Sequence, residues 1–160
     1  MNTKIMALLA TVALLSACSK QADTSGLANG NGGVASTSGG ASPGSQEDLV
    51  ANVGDRVFYA YNESSISGDA RATLDRQSAW LGRYPQDSVQ LAGNCDERGT
   101  EEFNIALGAR RANAARDYLV AHGVASSRIT TISYGKDRPT ALGSDESSYQ
   151  QNRNAITSVR

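Results

Sequence analysis

An aspartate and an arginine fifteen residues apart, Asp96 and Arg111, are the pair whose types and spacing most readily do chemistry in this chain. Asp96 stands in a charged turn after the apolar run Ser88 to Ala92, and Arg111 stands inside an amphipathic stretch that opens after Thr100. A long side chain on a helix leans back toward the helix N-terminus, so the guanidinium can approach the turn that holds the carboxylate. Facing one cleft, the two groups suit a zwitterion: the carboxylate accepts from an ammonium, and the planar guanidinium takes a carboxylate through parallel bonds. The same spacing also fits an internal ion pair that only ties the turn to the helix. Other reactive types are sparse. His122 is the single histidine and falls where a helix should end, a position suited to capping carbonyls. No paired histidines, Cys-x-x-Cys or Ser-His-Asp arrangement occurs, which argues against a metal site and against hydrolytic catalysis; no cofactor is implied.

The elements that must position the pair follow from periodicity. Arg56 to Tyr61 is rich in aromatic and β-branched residues and reads as a strand. Ser67 is placed to cap a helix whose Ala70, Leu74, Gln77 and Leu81 share one face, with Trp80 packed beside them and Pro85 as the stop. Ser88 to Ala92 is a second strand. Thr100 caps a long helix, Glu101 to Ala121, whose acidic first turn complements the dipole and whose Gly123 ends it. Phe103, Leu107, Ala114 and Tyr118, with Leu119 alongside, give that helix an apolar stripe. Arg110 lies about 100° around the helix from Arg111 and is expected in solvent. Ile129 to Tyr134 is a third strand, Gly135 to Pro139 a turn, Asp145 to Asn152 a short helix capped by Ser144, and Asn154 to Val159 a fourth strand. The order β-α-β-α-β-(α)-β predicts an α/β (α+β) two-layer sandwich with its helices mainly on one face.

Before this unit the composition changes twice. Residues 1–17 combine Lys4, an apolar run from Ile5 to Leu15 and small residues before Cys18, the pattern of an export signal too short to span a bilayer. Leu15-Ser16-Ala17-Cys18 resembles a lipobox, which implies cleavage before Cys18, acylation of its sulfur and an outer-membrane address through Ser19. Residues 18–46 are rich in Gly, Ser, Ala and Thr and read as a flexible linker, of r.m.s. span roughly 30 Å. The folded domain is expected over 47–160. A net charge of -1 over 160 residues supplies no basic field, which excludes nonspecific nucleic-acid binding. With Cys18 acylated, Cys95 has no intramolecular partner and is expected to be a free thiol.

The segment Asp96-Glu97-Arg98-Gly99-Thr100, followed by Phe103 to Ala112, resembles the peptidoglycan-associated lipoproteins of the OmpA C-terminal-like family, and the resemblance runs from about Arg56 to the C-terminus. It implies a non-catalytic domain that binds the diaminopimelate residue of the peptidoglycan stem peptide through Asp96 and Arg111. It also implies secondary contacts at Thr100, Asn104, Leu107, Cys95, Tyr61 and Asn62. A β-propeller protein of the Tol-Pal system is the implied protein partner, and a protein-interaction module of that machinery is the alternative role. The chain departs from the family pattern at Asn94, where a histidine is common, at Cys95, where a small residue is common, and through Tyr61 to Ile66, which replaces a loop resembling FDKYDI.

Overall fold

Ser67 and Thr100 each turn a helical pattern into a helix with a defined start. In the computed structural model, which describes residues 40–160, the Ser67 hydroxyl accepts from the Ala70 N–H at 3.2 Å and the Thr100 hydroxyl from the Phe103 N–H at 3.2 Å. The export signal, Cys18 and the linker up to residue 39 lie outside the described residues. The elements run α1 (Gln46–Asp48), which continues as a π-helical turn Leu49–Val53, then β1 (Arg56–Phe58), α2 (Gly68–Arg83), β2 (Val89–Asn94), α3 (Glu101–Ala121), β3 (Ile129–Gly135), α4 (Glu146–Asn152) and β4 (Asn154–Val159).

The four strands form one sheet in the order β1-β4-β2-β3, parallel between β2 and β3 and antiparallel elsewhere. Strand period places Val57, Val89, Leu91 and Ala155 on one face, where they join Leu74, Leu81, Ala112, Ala115 and Leu119 from the helices in a single core. Each fully buried Val or Leu side chain among them contributes about 1.5–3 kcal/mol. Trp80 is buried as expected, and its indole N–H donates to Asp48 at 2.8 Å, which fastens α1 to α2. Residues 44–46, read as linker, belong to this packed unit: Gly44 N–H donates to the Asp48 carboxylate, and the Gln46 amide bridges the Thr157 carbonyl and the Val159 N–H.

Three expectations are corrected. The short helix α4 is capped by Asp145 rather than Ser144, because the Asp145 carboxylate accepts from the Ser148 N–H at 2.9 Å. The first strand ends at Phe58, since beyond the Tyr59 N–H bond to Arg153 the chain turns away through Asn62, whose φ of 57° makes it the one non-glycine in the left-handed region among the described residues. The buried stripe of α3 is Asn104, Leu107, Gly108, Arg111, Ala112, Ala115 and Leu119, while Phe103 is 44% exposed and Ala114 and Tyr118 are only partly buried. Small residues explain that rotation. Gly108 rests against Gly93 of β2, where a Cβ on either residue would overlap the other's backbone, so the helix is drawn to the sheet on the side that large apolar residues do not mark.

Candidate ligand-binding site

The register of β2 against β3 shifts between Gly93 and Asn94. Such an irregularity re-aims the chain, and here it sends Cys95 and Asp96, just past the end of β2, toward the first turns of α3. From the other side the β1–α2 loop brings Tyr61 and Asn62. Together with Arg98, Gly99, Phe103, Asn104, Leu107 and Arg111 these residues line one concavity of about 50 Å³. Seven of the eight residues expected to meet ligand therefore converge: Asp96, Arg111, Asn104, Leu107, Cys95, Tyr61 and Asn62. Thr100 is the exception, and its hydroxyl is used in capping α3.

Arg111 is 1% exposed, yet among the described residues no carboxylate pairs with it. Its Nε donates to the Glu63 carbonyl at 2.8 Å, Nη1 to the Asn94 carbonyl at 2.8 Å and to Cys95 Sγ at 3.4 Å, and Nη2 to the Ala60 carbonyl at 3.1 Å. Four of its five N–H groups are thus engaged. The alternative of an internal Asp96–Arg111 ion pair is not what forms, and neither is a guanidinium fork standing wholly free. Burial lowers the pKa of Arg111, with the neighbouring thiol, the Tyr59 hydroxyl and Asp96 acting in opposition. A buried cation held by carbonyl dipoles and a neutral thiol, with no carboxylate on it, is an unpaired charge.

Asp96 is 4% exposed and is met by two arginines that the sequence reading did not assign to the site. Arg98 approaches as a fork, Nε at 3.1 Å from Oδ1 and Nη2 at 2.6 Å from Oδ2, while its backbone N–H donates to Oδ1 at 3.2 Å. Arg153 Nη1 lies 3.4 Å from Oδ2, and its Nη2 pairs with Glu146 at 2.9 Å. Burial pushes the Asp96 carboxyl up, but the bonds and charge from Arg98 and the bond from Arg153 outweigh it and hold the group below its ordinary value. The Arg98 guanidinium is stacked between the rings of Tyr61 and Tyr149, at 4.2 and 4.3 Å from their centroids.

Cys95 is free and buried, with its thiol 3.4 Å from the Asn104 carbonyl. Burial raises its pKa against the opposing charge of Arg111, so it remains a neutral thiol on the site floor. Asn94 is turned into the fold, its amide N–H groups donating to the Ala92 carbonyl and Asn154 Oδ1 while its own buried Oδ1 has no partner among the described residues. His122 sits where expected, Nδ1 2.7 Å from the Tyr118 carbonyl at the end of α3, far along the helix from Asp96.

A mixed four-stranded sheet backed by two long helices, with an acid turn and a buried arginine at one end, defines a domain of the OmpA class, and the model of the OmpA family matches residues 58–153. Among relatives, the peptidoglycan-associated lipoprotein of Rhizobium meliloti (strain 1021) is 49% identical over 98% of this chain and 86% of its own length, and that of Pasteurella multocida (strain Pm70) is 37% identical over 96% and 95%. The crystal structure of the peptidoglycan-associated lipoprotein from Burkholderia pseudomallei superposes with a TM-score of 0.64 at 38% identity, over 66% of this chain and 90% of that one. The C-terminal domain of Helicobacter pylori MotB, 18% identical with a TM-score of 0.62 over 66% of this chain and 84% of that one, shares the fold. The chain belongs to the peptidoglycan-associated lipoproteins of the OmpA family.

Proposed function

We propose that this protein is a lipid-anchored, periplasm-facing outer-membrane protein that binds peptidoglycan without catalysis, taking the zwitterionic end of diaminopimelate in the stem peptide between Asp96 and Arg111. The observation that carries this reading is the buried Arg111 cation, which lacks a carboxylate partner among the described residues and lines the same concavity as Asp96. An incoming carboxylate supplies the missing anion and meets the one guanidinium N–H, on Nη2, that has no acceptor among the described residues; the ligand ammonium goes to Asp96. Asn104 and Leu107 line the same concavity as the two charged groups. A charge-assisted bond in such a site contributes about 1.5–3 kcal/mol, so one site is of moderate affinity. Retention at the wall then rests on the many repeats of the polymer and on the membrane anchor at Cys18, which raise the effective concentration.

The exposed rings of Tyr61 and Phe103 rim the concavity, and they suit a protein partner. We assign to this rim the β-propeller protein of the Tol machinery, which would then exclude stem peptide from the same protomer. Cosedimentation with purified sacculi tests the wall reading: the full chain in detergent should pellet with sacculi and be released by a diaminopimelate-containing tripeptide. Fractionation of Cys18→Ala tests the anchor: loss from the outer membrane supports it, and unchanged fractionation without incorporation of labelled palmitate in the wild type removes it.

A further inference from the structure

Asp96 has no acceptor capacity to spare. Its two oxygens receive the Arg98 main-chain N–H, both Arg98 side-chain donors and Arg153 Nη1, which fills the roughly four lone-pair positions of a carboxylate. The cavity beside it, at about 50 Å³, is about a third of the roughly 150 Å³ that admits a benzene-sized ligand. It takes water but not the branched end of an amino acid. What stands in the way is Arg98.

The two arginines on Asp96 are built differently. The Arg153 side chain is 7% exposed and is fixed by the Tyr59 carbonyl at 3.1 Å and by Glu146, so it is part of the frame. The Arg98 side chain is 33% exposed. It is held by Asp96, by the faces of two tyrosines, and by Glu146 at 3.5 Å; Tyr61 is 60% exposed, and Tyr149 is itself braced by a 2.8 Å bond from its hydroxyl to Glu97. Displacing the Arg98 side chain would vacate two of the four occupied positions on Asp96, leaving its own main-chain N–H and Arg153 in place, and would remove one of the residues that line the cavity.

We infer that Arg98 is an internal competitor for the ammonium subsite, a guanidinium that occupies Asp96 until a ligand cation displaces it. This rests on the reading that Asp96 receives the ligand ammonium. It makes an otherwise unexpected prediction: removing a cation next to an anionic polymer strengthens binding. The Tyr61–Arg98–Tyr149 stack sets how firmly the competitor is held, so loosening the stack acts in the same direction as removing the arginine.

The test is calorimetric titration of a soluble tripeptide ending in diaminopimelate into the full chain in detergent, for wild type, Asp96→Ala, Arg98→Gln and Tyr149→Ala, each first checked by thermal melting. Arg98→Gln should bind about 3- to 10-fold more tightly than wild type while melting lower, and Tyr149→Ala should shift the same way by less. Tyr149→Ala removes no group from Asp96, which keeps the inference testable even where Arg98→Gln folds poorly. Equal or weaker binding by a folded Arg98→Gln or Tyr149→Ala, beside a wild type that binds and an Asp96→Ala that does not, overturns the competitor and leaves the wall reading intact. A wild type that fails to bind the tripeptide, or an Asp96→Ala that binds normally, overturns the reading on which it rests.

Discussion

The Tyr59 hydroxyl donates a 2.8 Å hydrogen bond to the main-chain carbonyl of Arg111. Since the Arg111 side chain reaches back to the carbonyls of Ala60 and Glu63, the residue is fixed at both ends by the same stretch of chain that follows β1. That stretch also carries Tyr61 and Asn62 into the concavity. The helix and the loop that form the two walls of the site are therefore joined through one arginine, which a lysine with its single ammonium cannot reproduce.

Arg111→Lys should keep a buried positive charge and lose sacculus binding by about 10- to 100-fold, with Asp96→Ala losing a similar amount. Arg110→Ala, whose side chain is in solvent, should bind normally. Cosedimentation alongside melting curves decides it, and an equal loss in Arg110→Ala would withdraw the assignment to the second arginine.

Gly93→Ala should destabilise the domain by about 3 kcal/mol, because its new Cβ overlaps the Gly108 carbonyl and neither β2 nor α3 can give way without parting. The melting temperature should fall by at least about 10 °C. Melting within a few degrees of wild type would show that the helix can shift on the sheet.

Cys95→Ala should preserve wall binding, since the thiol is neutral, buried and engaged only by the Asn104 carbonyl and Arg111. Alkylation of the folded wild type by iodoacetamide should be slow at neutral pH. A large loss of binding in a well-folded Cys95→Ala protein would assign the sulfur a contact with ligand.

The carboxyl of Asp96 is held below its ordinary value chiefly because the bonds and charge of Arg98 outweigh burial. Its contribution to stability is accordingly complete above about pH 4, the unfolded value, and is lost as pH falls through the lower folded value. The gap in melting temperature between wild type and Asp96→Asn should be widest near neutrality and should narrow below about pH 4. A gap that is unchanged at pH 2 contradicts the ion-pair account.

Caps and strand patterns make most of the fold legible in the sequence. Ser67, Thr100 and Gly123 mark helix ends by local chemistry, and Gly123 takes a φ of 95° with its N–H on the Val120 carbonyl. The face of α3 was not legible from its large apolar residues, because close approach to the sheet is set by Gly93, Gly108, Ala112 and Ala115, whose small size carries little hydropathy signal. Within the site, Asp96 and Arg111 stood out by motif and spacing. Arg153 did not, since it adjoins a strand 57 residues beyond Asp96 and only the antiparallel pairing of β2 with β4 returns it to the turn. Arg98 was in the motif itself; that it folds back on Asp96 depends on two tyrosines from distant segments.

The Gln46 amide, which bridges Thr157 and Val159, fixes where the preceding chain departs: beside the Val89–Val159 end of the sheet, whereas Asp96 and Arg153 stand at the Gly93–Ala155 end. Four residue steps separate the ends, about 13 Å along the strands. A pull entering through Gly44 and resisted at Asp96 therefore runs parallel to β2 and β4, and loads the bonds of their five registered pairs together in shear instead of opening them one after another. With the ligand held at Asp96 as proposed, tension between chain entry and ligand would be borne in this direction, and pulling from residue 44 against a linkage at residue 96 should rupture the domain at higher force than pulling across the strands from residue 58 to residue 134.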